Sequence, residues 1–590
     1  MAKAYRTTDY GTVVLHVLLV VSFLVLMATG LRLASDDPEV AWVAILDPIL
    51  PVHDLWLKHL LAGMAFAAVL VAYMMYMRRA RLGARVRMDR ARTIALLRGG
   101  KARWGALNVL VYWLLVASLM TEMVTGLLLF WTPHRTLLVI HLQATYVCLL
   151  AASLHVALHA VYGGTNQLLR VLRPAPLVVA PEPPDLAEML ADELARRHAG
   201  PQDDDPATEV GSSSSPTSPT LHASPLATAL GVAVLAIGLM LGGEQMTRPS
   251  LRVVEIEAGE APRLDGDLSD PVWAKTKPVS VLTSQGGDFG GTFQSTIEIR
   301  AVHDADYAYF AFVWDDPTRS LKHQPLVKTE KGWRIAATRS DLKDELEFNE
   351  DKLAVLLTRP GLPLIGGAIH LARRPLSDKP ASSTERGLHY TGGGYADIWQ
   401  WRASHTGPYG HIDNCHFGGP LSATARDAQP GTQYSGGFAI DPGPSPYQVN
   451  VVATGGRYLP RRLPKDLAAM RNVMGTFAST PGTGESPGAR WWITMSESEP
   501  YTAERDALLP VGTVLPGVIM ADQRPMQRTD IRGVARWAAG RWTLELARRL
   551  TTGSHYDIPI KSGVQMWVAA FDHAEKRHTR HLRPFQLEVD

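Results

Sequence analysis

The sequence predicts a multi-domain membrane protein with an α-helical four-helix transmembrane bundle, one further transmembrane helix and an all-β sandwich. Three observations predict this class. The chain has 590 residues, more than one hydrophobic core usually holds. Long uncharged apolar runs occur only before residue 244. From residue 250 onward, short alternating segments are separated by Gly and Pro, which is typical of strands and turns.

Five apolar runs account for the predicted helices. Four are long enough to cross about 30 Å of hydrocarbon, and the fifth is shorter but uncharged. They cover residues 10–31, 59–77, 104–131, 136–162 and 226–243. No cleavage pattern of small residues follows the first run, so we interpret it as a retained helix rather than a removable signal peptide.

Charge predicts the topology of these helices. The loop 78–103 holds ten Lys or Arg against one Asp, whereas 34–55 holds five acids and no base. By the positive-inside rule, the N-terminus and the loop 78–103 are cytoplasmic. Residues 1–173 form the predicted bundle, and we expect it to lie in the bacterial inner membrane.

The segment 174–225 is rich in Pro and Ser and has nine acids against two bases, so it is predicted to be a disordered linker. The fifth helix then carries the domain 250–590 to the periplasm. If 226–243 is instead a surface segment, this domain is cytoplasmic.

Four histidines in the bundle match in depth as two pairs. His141 and His155 are 14 residues apart, which on a helix gives about 21 Å of rise and a rotation of only about 40°. With alternating helices, His16 matches His155 at the inner level and His59 matches His141 at the outer level. Paired imidazoles in a four-helix bundle are typical ligands of b-type haem, so we predict two haems. Two alternative ligands remain: His159 in place of His155, and His53 in place of His59. The alternative is that each histidine forms hydrogen bonds between helices.

The first and third apolar runs share a weak sequence repeat. MATGLRL at 27–33 and MVTGLLL at 123–129 place Gly30 and Gly126 at the outer level, where close helix packing is the simpler explanation. Glu122 is an acid inside an apolar run. It is a candidate proton donor or acceptor beside a quinone, or a buried carboxyl bonded to Thr121 or Thr125.

The segment 5–173 resembles the diheme cytochrome b subunits that anchor nickel–iron hydrogenases and formate dehydrogenases. The resemblance rests on TVVLHVLLVVSFLVLMATGLRL, on KHLLAGMAF, and on HLQATYVCLLAASLHVALH with its two histidines 14 residues apart. It implies electron transfer through the membrane between quinone and a periplasmic redox enzyme.

The predicted periplasmic part, residues 250–590, has the sequence pattern of β-strands. STIEIRAV (295–302) and YAYFAFVW (307–314) predict a hairpin, and WTLELARRL, VQMWVAAF and FQLEV repeat the pattern. Two cysteines, Cys148 and Cys415, exclude a disulfide scaffold, an iron–sulfur cluster and a covalently attached haem.

The segment 250–590 resembles the haem-binding γ-subunit domain of ethylbenzene dehydrogenase. The resemblance rests on LDGDLSDPVW, FVWDDPT, EDKLAVLL, ADIWQWR and GRWTLELARRLTTG. It implies one haem and electron exchange with a molybdoenzyme. Where relatives have a Lys ligand this chain has Arg402, which cannot ligate iron. The sequence therefore leaves open whether the sandwich binds a third haem. If it does, we expect His370 to be one ligand. The second ligand would come from Met474, Met470, His389 or His416.

These observations predict a b-type cytochrome that carries electrons between the quinone pool and a periplasmic molybdoenzyme or soluble cytochrome. Residues with a bond-making role do not stand out, so we expect an electron-transfer component rather than a separate catalyst. The alternative is a membrane-anchored binding protein whose sandwich recognises a partner enzyme or carbohydrate. The segment 226–590 has 40 bases and 40 acids, which does not favour nucleic acid.

Overall fold

The computed structural model describes most of the chain. It covers residues 7–590 except 35–41, 44, 47–48, 52–54, 99, 133, 178–223, 337–347, 361–368, 372–388, 392–393, 419–437, 476, 478–484, 486–487, 523–530 and 576. Most of the predicted linker 174–225 therefore lies outside the described residues.

Five helices in the part of the chain that the structure describes are long and apolar enough to cross a membrane. We name them the first to fifth spans, and their bounds are Tyr10–Ala34, Leu55–Arg79, Lys101–Trp131, Arg135–Leu168 and Pro225–Met246. A short helix, Arg90–Arg98, lies in the basic loop. The β-rich part follows, which confirms the predicted fold class.

The spans contribute to two compact units. The first unit comprises residues 1–23, 63–121 and 144–240, and the second comprises 24–62, 122–143 and 241–590. The start of the first span thus shares a unit with the end of the second, and the same holds for the third and fourth.

Asp9 ties several segments of the first unit together. Its carboxylate accepts hydrogen bonds from the Thr12 backbone N–H at 2.8 Å and the Tyr76 hydroxyl at 2.5 Å, and it pairs with Arg85 at 2.9 Å. Burial alone would raise the pKa of Asp9, but these donors lower it to about 2. A charged N-cap thus starts the first span and holds the basic loop beside it.

A twelve-stranded sheet forms most of the β-rich part. Its strands are β1 (Ser250–Glu255), β2 (Val279–Ser284), β3 (Gln294–His303), β4 (Tyr307–Asp315), β5 (Lys352–Thr358), β6 (Ala396–Arg402), β7 (Asp413–Phe417), β8 (Phe438–Ile440), β9 (Ile531–Ala538), β10 (Arg541–Arg549), β11 (Gln565–Phe571) and β12 (Phe585–Val589). Neighbours follow the order β8-β7-β6-β5-β11-β12-β1-β3-β4-β10-β9, with β2 beside β3. The pairs of β1 with β12 and with β3 are parallel, and the others are antiparallel.

The sheet folds so that its two halves face each other. Phe310 on β4 meets Trp399 on β6 with ring centroids 5.6 Å apart, although these strands are distant in the sheet order. Trp401 on β6 likewise meets Trp542 on β10 at 4.8 Å. These side chains belong to one buried hydrophobic cluster. Two facing layers with a shared apolar core are the arrangement of a β-sandwich.

Smaller elements complete the described chain. The other strands are Thr8–Asp9, Pro174–Ala175, Leu326–Thr329, Gly332–Ile335, Ile369–Leu371, His389–Thr391, Tyr447–Val449, Val451–Thr454, Arg457–Pro460, Arg462–Pro464, Trp492–Thr494, Ser498–Pro500, Val514–Leu515 and Val518–Met520. Two short helices are Leu467–Met474 and Ala503–Ala507. Short 3-10 turns are Gly83–Arg85, Leu169–Leu172, Ala258–Glu260, Pro271–Lys275 and Gly407–Tyr409.

Within the second unit, the sandwich contacts the ends of the third and fifth spans. Arg583 donates to the Glu244 carbonyl at 3.1 Å and lies 5.0 Å from the centroid of the Phe130 ring. Trp131 donates to Thr247 at 3.1 Å. The sandwich is therefore attached to the helix ends at the level predicted to be outer.

Candidate haem-binding sites

His59 is held by a threonine of the first span, inside the second unit. The Thr29 hydroxyl oxygen is 2.9 Å from His59 Nδ1, and the same hydroxyl donates its proton to the Val25 carbonyl at 2.7 Å. The threonine oxygen must therefore accept, which assigns the imidazole proton to Nδ1. Nε2 of His59 is left with a lone pair, the form that binds iron.

His141 is held in the same way by the third span. The Thr125 hydroxyl oxygen is 2.8 Å from His141 Nδ1 and donates to the Glu122 carbonyl at 3.2 Å. Glu122 adds a second contact, because its Oε2 is also 2.8 Å from His141 Nδ1. His59 and His141 are close enough to interact electrostatically. Sequence reasoning missed the contact of each threonine with a histidine, although the repeated Thr-Gly pair was the signal that could have found it.

The repeated glycines leave space beside these rings. A Cβ atom on Gly30 would lie 3.2 Å from His59 Cε1, and one on Gly126 would lie 3.4 Å from His141 Cε1. The first distance is tight for two carbon atoms, and the second is at the short limit of ordinary contact. The repeat thus places a hydroxyl and a gap against each imidazole, in addition to any role in helix packing.

The inner histidines lie in the first unit. His155 interacts electrostatically with His16, and its buried Nδ1 has no hydrogen-bond partner. The neighbouring His159 is different, since both of its ring nitrogens lie 3.3 Å from side-chain amides, those of Asn108 and Gln167. This difference favours His155 over His159 as a ligand.

The other residues predicted as possible haem ligands do not lie together. Met470 and Met474 are buried in the apolar core of the sandwich. Nδ1 of His416 is 2.6 Å from Asp441, and Tyr556 stacks on its ring at 4.1 Å. His370 and His389 lie on a two-stranded hairpin whose side chains are outside the described residues, as is His53. The pair His370 and Met474 stays a prediction.

Arg402 occupies the position where a lysine would be needed as a haem ligand. It is partly buried and pairs with Glu350 through its Nε at 3.1 Å and a terminal nitrogen at 3.0 Å. Burial opposes its charge, but the carboxylate of Glu350 raises the pKa of Arg402 above its usual range. The side chain is therefore a fixed cation and does not ligate a metal.

Comparison with known families agrees with both halves of the chain. The family described as ethylbenzene dehydrogenase matches residues 270–583, and the family described as prokaryotic cytochrome b561 matches residues 7–174. Both resemblances noted in the sequence are thereby confirmed. No curated protein sequence matches the chain significantly.

Solved structures give only remote likenesses. A family 9 carbohydrate-binding module from Caldicellulosiruptor kristjanssonii, solved with glucose, has 8% identity and a TM-score of 0.21, covering 58% of this chain and 95% of its own. A putative carbohydrate-binding protein from Bacteroides uniformis has 6% identity and a TM-score of 0.23, covering 58% and 100%. These scores are too low to support an argument about binding.

Proposed function

The chain belongs to the ethylbenzene dehydrogenase family, whose match covers more than half of its length, and from this premise we propose how it transfers electrons. It is a multi-pass membrane protein with a b-type cytochrome domain that acts in electron transfer. Our proposal is that it connects the quinone pool to a periplasmic redox partner, a molybdoenzyme or soluble cytochrome, through two haems in the bacterial inner membrane. The N-terminus is cytoplasmic and the sandwich is periplasmic.

The observation that supports this most is the duplicated arrangement of threonine and histidine. His59 and His141 each have Nδ1 beside a threonine oxygen, at 2.9 and 2.8 Å, which leaves Nε2 available. Haem supplies one-electron chemistry when bound. The threonines orient the outer imidazoles, and the glycines keep a carbon atom away from each ring. His16 and His155 supply the inner pair.

The sandwich receives or supplies electrons at the outer end. Arg583 attaches it to the ends of the fifth and third spans through Glu244 and Phe130. This attachment would keep a redox partner bound to the sandwich close to the outer pair of histidines. A third haem would extend the path, and haem stoichiometry decides whether it is present.

Haem counting in the full-length protein tests the ligand assignment. We expect two haems per chain, or three if the sandwich holds one, and the loss of one haem in His141→Ala and in His155→Ala. His134→Ala is the control, because His134 immediately precedes the fourth span and its Nδ1 accepts from the Thr136 backbone N–H. Full haem content in His141→Ala or His155→Ala would refute the assignment.

A second measurement tests the quinone role. Decylubiquinol and menaquinol analogues are mixed with the oxidised protein, and haem reduction is followed by absorbance. We expect the quinol to reduce the haems about as fast as a respiratory enzyme turns over. If neither quinol reduces the haems and the reduced haems pass no electrons to either quinone, the proposed link to the quinone pool is wrong.

A further inference from the structure

Three buried side chains of the sandwich meet at one end of the strand pair β5 and β6. In the register of this antiparallel pair, Arg402 at the end of β6 lies opposite Lys352 at the start of β5. Glu350 lies two residues before β5 and His405 lies three residues after β6, so the register brings them together. His323, from the segment after β4, completes the group. The ligand atoms of these three residues all lie within 4.8 Å of one another.

The nitrogens of the two histidines face the same carboxylate oxygen. His405 Nδ1 is 2.5 Å from Glu350 Oε1, and His323 Nδ1 is 3.6 Å from that atom. His323 Nδ1 is buried without a hydrogen-bond partner, and the contact of His405 lacks hydrogen-bond geometry. A buried polar atom without a partner costs free energy that a bound ion would recover.

Glu350 is positioned for this role by its other oxygen. Its Oε2 accepts hydrogen bonds from the backbone N–H groups of Ser404 at 2.6 Å and His405 at 3.2 Å. The carboxylate cannot rotate without breaking these bonds, so Oε1 stays directed at the two imidazoles. Such outer bonds orient the ligands of many metal sites.

The spacing excludes a haem between the two histidines. Their ring centroids are 4.5 Å apart and the rings are perpendicular, at 84°. A macrocycle cannot enter this gap, whereas a single ion needs only ligand bonds of about 2 Å. The group is therefore the right size for an ion.

The charged groups beside these three residues are paired. Glu575 Oε2 lies 3.9 Å from His323 Nδ1 and 2.6 Å from Lys352, and Glu350 is paired with Arg402 at 3.0 Å. A bound ion would therefore share the Glu350 carboxylate with Arg402.

We propose that His323, Glu350 and His405 bind a divalent transition metal ion of the Zn²⁺ type, which fastens three segments of the sandwich together. Two imidazoles and one carboxylate are a known ligand set for zinc, in which the fourth position is taken by water or another ligand. Arg402 competes with the ion, because it pairs with the same Glu350 oxygen. The site is buried, so its role is structural.

Zinc binding by the full-length protein in detergent tests the proposal. The protein is stripped with EDTA and dialysed against Zn²⁺ alone, and bound zinc and the unfolding temperature are measured. We expect one zinc per chain and a higher unfolding temperature with zinc. His323→Gln and His405→Gln should each weaken zinc binding about tenfold or more. His303→Gln is the matched control, because that buried histidine bonds to the carbonyls of Asp304 and Asp590 instead.

Arg402→Met gives an independent readout. Removing the competing cation should tighten zinc binding and make the unfolding temperature depend more strongly on zinc, which a purely structural role of Glu350 would not produce. The proposal is overturned if the wild-type protein retains less than half an equivalent of zinc, or if His323→Gln and His405→Gln bind zinc as tightly as the wild type.

Discussion

Glu122 Oε2 lies 2.8 Å from His141 Nδ1, the ring nitrogen that also faces the Thr125 hydroxyl. A carboxylate at this position increases the electron density of the imidazole, and a haem bound to the opposite nitrogen then favours the ferric state. We therefore predict that Glu122 tunes the proposed outer haem. Its role as a proton group at a quinone site stays a prediction.

Replacing Glu122 with Gln tests this role. Without the negative charge, His141 becomes a weaker electron donor, and we expect the midpoint potential of the outer haem to rise. The rise should be on the order of 30–60 mV, since a tenfold change in a one-electron equilibrium is about 59 mV. Spectroscopic redox titration measures it, and the potential of the inner haem is the internal control. An unchanged outer potential with slower quinol oxidation would instead support the proton-transfer role.

Thr29→Val should affect haem binding more than Thr125→Val does. Valine keeps the shape but removes the acceptor from His59, whereas His141 keeps its contact with Glu122. We expect haem affinity to fall by about 10–100-fold in Thr29→Val and by less in Thr125→Val. Ser22→Ala is the control, because that hydroxyl donates only within the first span. Equal effects of the two threonine variants would contradict the assigned difference.

The repeated glycines give a graded prediction. A Cβ atom would be 3.2 Å from His59 Cε1 in Gly30→Ala, 3.4 Å from His141 Cε1 in Gly126→Ala, and would meet nothing within 4 Å in Gly238→Ala of the fifth span. We expect a loss of haem affinity of about fivefold, roughly 1 kcal/mol, in the first variant, a smaller loss in the second and none in the third. Haem retention during gel filtration measures the order, and a loss in Gly238→Ala as large as in Gly30→Ala would refute it.

The sequence predicted the helical half better than the chemistry of the sandwich. A hydrophobic span is a local pattern, so the five spans could be derived without a structure. The 14-residue spacing is also local, and it singled out His141 and His155 as candidates. The role of the threonines could not be derived, because it depends on which helix face meets His59 and His141.

The His323, Glu350 and His405 group was missed for a related reason. Its members are dispersed along the chain, and only the register of Lys352 with Arg402 brings two of them together. Strand alternation predicts that β5 and β6 exist, but it does not predict that they are neighbours or at which residues they pair.

His581 makes the stability of the sandwich depend on pH. Its Nε2 accepts the Val568 backbone N–H at 3.0 Å, and its Nδ1 donates to the Arg583 carbonyl at 2.7 Å, so the ring is neutral in the folded state. Burial lowers the pKa of His581 from 6.5 to about 4. Because the unfolded chain binds the proton more tightly, the stabilisation is complete above pH 6.5 and is lost as the pH falls from 6.5 to 4.

The difference of about 2.5 pKa units corresponds to about 3 kcal/mol. His581→Gln should reduce stability at pH 7.5, because an amide replaces only part of the imidazole geometry, but it should also flatten the dependence between pH 6.5 and 4. Denaturant unfolding of the full-length protein, followed by tryptophan fluorescence, measures both effects. Other buried histidines contribute equally to both proteins and cancel in the comparison. Parallel curves for the variant and the wild type would show that His581 does not carry this dependence.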